Sequence, residues 1–105
     1  MIAPYLNQKL PEIITVFKEN NIKNAYAFGS VCGEDFSNQS DIDLLINFDT
    51  KLSALERGEN WWNLFFALED ILKRDVDLLT ENSLKNPYFI NYLNKSRVLI
   101  YEKAS

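Results

Sequence analysis

Residues 41–48, "DIDLLINF", constrain the fold more than any other segment of the chain. Ile42, Leu44, Ile46 and Phe48 share one parity, and Asp41, Asp43, Leu45 and Asn47 share the other. Successive side chains on a strand point to opposite faces, so the pattern predicts a strand with one buried face and two aspartates side by side on the other. Residues 75–80, "DVDLLT", repeat the design: Val76, Leu78 and Thr80 lie against Asp75, Asp77 and Leu79. Between the two runs, over about residues 56–74, Trp61, Leu64, Phe65, Leu68, Ile71 and Leu72 recur at helical spacing. The remaining segments read as a helix over residues 11–20 with Pro11 in its first turn, a short strand over 25–28, a helix opening near Pro87, and a closing strand in "RVLIY". A short turn over residues 6–10 precedes the first helix. Strands separated by helices predict an α/β (α+β) fold, a small mixed β-sheet with helices packed on one face, formed by residues 1–105 as one domain.

Composition narrows the chemistry. The chain has 105 residues, a formal net charge of −4 and no cluster of Lys or Arg, which argues against a surface that grips nucleic acid through its phosphates. It contains no histidine, which removes Ser-His-Asp and Cys-His catalysis and the usual imidazole-bound zinc site. The single cysteine, Cys32, has no partner for an internal disulfide and reads as an inert small residue in a loop. With no signal peptide and no long apolar run, the expected compartment is the cytoplasm, with no membrane contact.

Asp41 and Asp43 project together from the strand face opposite Ile42 and Leu44, and so form one acidic site. Two carboxylates a few ångströms apart repel by roughly 4 kcal/mol at an effective dielectric near 20, so such a pair shares a proton or holds cations. Oxygen ligands without His or Cys favour Mg²⁺ or Mn²⁺, and Mg²⁺ completes its shell with substrate phosphates and water. Ten residues before Asp41, a Gly29-Ser30 turn follows the short strand. There, backbone N–H groups and a hydroxyl can turn toward a phosphate. Asp77 supplies a third carboxylate if its strand lies beside the first; Asp75 has the same parity and is not distinguished from it by spacing alone.

"FGS", ten residues, "DID" and the later "VDLLT" resemble the polymerase-β-type nucleotidyltransferase superfamily, in particular its minimal nucleotidyltransferase (MNT) branch. The resemblance runs over nearly the whole chain and implies the nucleotidyltransferase fold. It also implies transfer of AMP from ATP, with two Mg²⁺ ions, to a hydroxyl. On it, Gly29 and Ser30 match the nucleotide-binding pair, Asp41 and Asp43 the metal-binding pair, and Asp77, within "VDL", the third catalytic and metal-binding carboxylate. MNT proteins of this size are typically antitoxins encoded beside a HEPN ribonuclease toxin, and resemble protein adenylyltransferases that silence the toxin by modifying a tyrosine. The rival readings are a transferase for a small hydroxylated substrate such as an aminoglycoside, for which 105 residues leave no second domain, and a non-catalytic antitoxin that acts by binding. Many relatives carry arginines directly after the serine. This chain has Val31, Cys32 and Gly33 there, which leaves Lys51, Lys73, Arg74 or a partner as the source of positive charge.

Trp62 and Phe66 fall beside the apolar face of the long helix, one turn apart. They read as the margin of a wide core face; the alternative is an exposed patch for a partner or for a second copy in a homodimer.

Overall fold

The computed structural model describes residues 2–33, 36, 37 and 39–104. Its elements, in chain order, are α1 (Pro4–Glu19), β1 (Ile22–Phe28), a 3₁₀ turn (Gly29–Cys32), β2 (Ile42–Phe48), α2 (Ala54–Leu72) and β3 (Val76–Thr80). A second 3₁₀ turn (Glu81–Ser83), α3 (Pro87–Ser96) and β4 (Val98–Glu102) follow. The sheet runs β3-β2-β1-β4, with β2 and β3 parallel and the other two pairings antiparallel, so it is the small mixed sheet expected.

α1 starts at Pro4, seven residues before the expected start at Pro11, and takes in residues 6–10 that had read as a turn. Pro4 occupies the first-turn position assigned to Pro11, and Pro11 lies inside the helix. A proline there forfeits the hydrogen bond to the carbonyl four residues back. Asn7, which carries that carbonyl, is exposed, as is Pro11, so water can reach the freed group. The helix holds because Leu6, Ile13 and Phe17 form one fully buried stripe. At its end, Asn20 donates from Nδ2 to the Val16 carbonyl at 3.0 Å, and Asn21 turns the chain at φ 60° into β1, which begins three residues earlier than expected.

α2 is the crossover between the parallel strands. Ser53 and Glu56 cap its N-terminus reciprocally, with hydrogen bonds of 3.2 and 2.9 Å, and Lys73 closes it in the left-handed conformation at φ 55°. Leu64, Leu68 and Leu72 meet Ile42, Leu44 and Ile46 of β2, Ala25 and Ala27 of β1, and the α1 stripe in one continuous core.

Helices α1 and α2 share one face of the sheet, in line with the fold class expected. The third helix adds something the periodicity did not show. Phe28, Leu45 and Leu93 form a second, smaller core, with Tyr26, Leu79, Leu84 and Phe89 packed against it. These strand residues alternate with those of the main core, so α3 covers part of the opposite face. Farther along that face, Asn47 donates to Asn24 Oδ1 (2.9 Å) and Glu81 Oε1 (2.7 Å), and Arg97 pairs with Glu81 at 2.8 Å while lying over the Tyr26 ring.

Trp62 and Phe66 are not core margin. They are 54% and 61% exposed, because no element among the described residues reaches the side of α2 that carries them. Among the described residues, no helix is long and apolar enough to cross a membrane.

Candidate active site

The sequence-predicted site residues converge where β1 ends and β2 and β3 begin. Phe28, the last residue of β1, pairs with Asp43 of β2, which sets Gly29 directly beside the Asp43 carboxylate. Gly29 has φ +74°, and a Cβ on it would overlap Asp43 Oδ2. Glycine is therefore required twice, for the backbone angle and for the space. Ser30 follows in the 3₁₀ turn, half-buried, its carbonyl accepting the Gly33 N–H at 3.0 Å.

The parallel register places Asp43 opposite Asp77, and the Ile42 N–H donates to the Asp75 carbonyl at 3.0 Å. Burial and the charges of Asp77 and then Asp41 push the Asp43 carboxyl up to about 6. Asp75 is not among the charges that raise it. Register places the two residues differently: Asp77 faces Asp43, whereas Asp75 precedes the strand and contributes its backbone. Asp41 and Asp77 are exposed and Asp43 is half-buried, so the three carboxylates grade from open solvent toward the glycine.

Oxygen donors of this kind suit a hard divalent cation. Among the described residues, no three His, Cys, Asp or Glu side chains already stand close enough together to hold an ion. Asp43 is raised first by burial and then by the charges of Asp77 and Asp41, the last two being charge that a bound cation would offset. The donor set fits Mg²⁺, which asks for two or three carboxylates and takes its other ligands from phosphate and water.

The positions where many relatives carry arginine do other work here. Val31 is fully buried and its carbonyl accepts the Ala3 N–H at 2.7 Å, while Cys32 is partly buried against the main core. Burial and the nearby Asp43 charge push the Cys32 thiol up, away from the thiolate form. Of the three cations named as substitutes, Lys51 follows the far end of β2 and Lys73 pairs with Asp70 on the surface at 3.2 Å.

Arg74 is at the site but is committed elsewhere. Its Nη1 donates to the Ser37 and Ser40 carbonyls at 2.8 and 3.0 Å. Its guanidinium lies over the rings of Tyr5 and Phe36, 4.5 and 4.6 Å from their centroids. The Tyr5 hydroxyl in turn donates to the Leu72 carbonyl. Arg74 therefore fastens the loop that delivers Asp41, a role that sequence reasoning missed. Its partners lie 34 to 37 residues away along the chain, beyond any local pattern. Of that loop, Glu34, Asp35 and Asn38 lie outside the described residues.

Comparison with known proteins gives the family. Residues 11–105 match the polymerase beta nucleotidyltransferase family. A Methanocaldococcus jannaschii protein named for protein adenylyltransferase activity is 33% identical over 94 residues, covering 90% of each chain. Among solved structures, a minimal nucleotidyltransferase superposes with a TM-score of 0.71 at 23% identity, covering 93% of this chain and 95% of the other. A toxin–antitoxin complex with AMP-PNP superposes at 0.69 and 23% identity, covering 90% and 73%. A tri-AMPylated Shewanella oneidensis HEPN toxin in complex with an MNT antitoxin superposes at 0.63 and 21% identity, covering 92% and 72%. The family match over residues 11–105 and the 33% identical relative show the family, and the solved structures share the fold: the chain belongs to the polymerase beta nucleotidyltransferase family.

Proposed function

We propose that this chain is a cytoplasmic protein adenylyltransferase antitoxin, which transfers AMP from ATP to a tyrosine hydroxyl of a cognate HEPN ribonuclease toxin and so neutralises it. The observation that carries the reading is the packing of Gly29 against Asp43, with Asp77 in register and Asp41 alongside. The relative named for protein adenylyltransferase activity and the solved complex containing an AMPylated HEPN toxin support it.

Gly29 and Ser30 bind the nucleotide through the turn, and Asp41, Asp43 and Asp77 are the catalytic carboxylates that would also hold Mg²⁺, as two ions. Bound there, the metal supplies positive charge to the phosphates and lowers the pKa of the acceptor hydroxyl. The chain's own residues do the rest. The tyrosine oxygen bonds to the α-phosphorus as the bond to pyrophosphate breaks, and Asp77, the most open carboxylate of the facing pair, accepts the hydroxyl proton. Arg74 keeps Asp41 in place by holding its loop. With Val31 and Cys32 turned into the core, the chain brings no loop arginine to the triphosphate, and the acceptor protein is the source of any further cation.

Intact mass spectrometry of the cognate HEPN toxin tests the proposal. After incubation with this protein, ATP and Mg²⁺, the toxin gains whole AMP units and loses ribonuclease activity, and both effects vanish with Asp41→Ala/Asp43→Ala. A toxin that is inhibited yet keeps its mass would contradict the transferase reading and favour inhibition by binding alone.

A further inference from the structure

The exposed side of α2 lies away from both cores and from the carboxylates. Leu55, Trp62 and Phe66 are 73%, 54% and 61% exposed. At about 100° per residue they fall within one narrow stripe down the helix. The two rings stack on each other at 5.6 Å between centroids, and Trp62 also meets Trp61 edge-on at 4.8 Å. Trp61 in turn lines a cavity of about 400 Å³ together with Phe48, Arg57, Thr80 and Ser83, at the opposite end of β2 and β3 from Asp43. A row of large apolar side chains beside a socket is the form in which interfaces concentrate their binding energy.

Charge selects the occupant. Glu59 and Asp70 flank the stripe on one side and Glu69 on the other, with Lys73 at its end paired to Asp70. A second copy fits poorly. A two-fold antiparallel pairing of α2 centred between Trp62 and Phe66 brings like margins together, setting Glu59 of one copy near Asp70 of the other and Leu55 beside Lys73. Both copies would also carry the same net charge of −4. Like charges set opposite each other across an interface reject a partner, and opposite charges select one.

We infer that the Leu55–Trp62–Phe66 stripe is the docking surface for the acceptor protein, and that it receives a segment with an apolar centre and Lys- or Arg-rich margins. The inference rests on the proposed function for the identity of the acceptor. It separates holding the acceptor from reacting with it, since the stripe contains none of the site residues.

Binding of the cognate HEPN toxin to the full chain, followed by analytical ultracentrifugation and stopped flow across a salt series, tests it. Trp62→Glu/Phe66→Glu should keep the wild-type circular dichroism and melting curve, because both rings are already largely in water. It should weaken binding about 100-fold, the scale of losing two aromatic anchors. AMP transfer should show a raised KM for the acceptor and an unchanged kcat. Glu59→Lys/Asp70→Lys should slow association and flatten its salt dependence. Should the glutamates unfold the chain, Trp62→Gln/Phe66→Gln replaces them with the same expectation. Wild-type affinity in a folded double variant overturns the inference. So does an unchanged salt dependence in the lysine variant, or a self-association of the wild type that the double variant abolishes while toxin binding persists. A wild-type chain that binds the HEPN protein through the stripe yet transfers no AMP leaves the docking surface standing and removes the proposed function. One that does not bind it at all removes both.

Discussion

On the face covered by α1 and α2, β2 contributes Ile42, Leu44 and Ile46, all fully buried; on the other face the same strand contributes Asp43, Leu45 and Asn47, of which only Leu45 is buried. The first face is uniform along its length and holds the fold together. The second changes character along the strand: carboxylates at one end, a small apolar plug of Phe28, Leu45 and Leu93 in the middle, and the Asn47–Glu81–Arg97 network at the far end. One strand thus separates the two tasks by parity, so a substitution on the first face should cost stability along its whole length, and one on the second should cost less stability in the middle and chemistry at the carboxylate end.

Truncating the two leucines gives the largest contrast. Leu44→Ala should destabilise the chain by about 3–5 kcal/mol, since it opens a cavity in a core closed on every side. Leu45→Ala should cost about 2–3 kcal/mol, because the smaller cluster can collapse around α3. Chemical denaturation measures both, and equal costs would erase the proposed difference between the faces.

Gly29→Ala comes next and falls on chemistry more than on stability. The left-handed backbone costs about 1–2 kcal/mol for an L side chain. The new methyl also displaces the Asp43 carboxylate, a misplacement of the kind that costs about 100-fold in rate. The kcat for AMP transfer is the readout, and a wild-type value would show that Asp43 does not work from this position.

Arg74→Ala should release the Phe36–Ser40 loop, which limited proteolysis detects, and lower AMP transfer about tenfold through Asp41 at a stability cost of about 1–2 kcal/mol. Arg74→Lys should not rescue it, because a lysine has neither the planar fork for two carbonyls nor the flat surface that meets the Tyr5 and Phe36 rings.

The smallest effect follows from Asp43's carboxyl, raised from 3.8 to about 6. A carboxyl with a raised folded pKa binds its proton more tightly in the folded state. Its contribution to stability is fully present below pH 3.8 and is lost as pH rises through 6. Without metal, Asp43→Asn should therefore exceed wild type by about 1 kcal/mol at pH 8, a figure reduced for the site's half-exposure, and match it near pH 3.5. Thermal melts across pH in EDTA measure it; a variant less stable than wild type at pH 8 would mean the carboxylate is satisfied by groups other than a cation.

The placement of the candidate site residues was legible in the sequence to the extent that strand parity could carry it. Asp41, Asp43 and Asp77 fall where period-two spacing put them, and Gly29 lies at the end of the strand that pairs with Asp43. Parity could not choose between Asp75 and Asp77, because that choice belongs to the register between two strands. α1 was shortened because a proline signals a first turn more strongly than it signals an interior position whose freed carbonyl faces water. The spacing of Phe89, Ile90 and Leu93 marks an amphipathic helix without saying which face of the sheet it meets. Trp62 and Phe66 were read as core margin because aromatic residues beside an apolar stripe are usually covered; only the placement of every other element leaves them bare.

Isothermal titration of ATP with Mg²⁺ into the wild-type chain and into Asp43→Asn tests the central claim most directly, because it reads the carboxylate corner without calling on any acceptor. Saturable binding by the wild type, with a heat that depends on Mg²⁺ and is lost in the folded variant, is the predicted result. Equal affinity in the two proteins would contradict the account, since the nucleotide would then be held away from Gly29, Asp43 and Asp77.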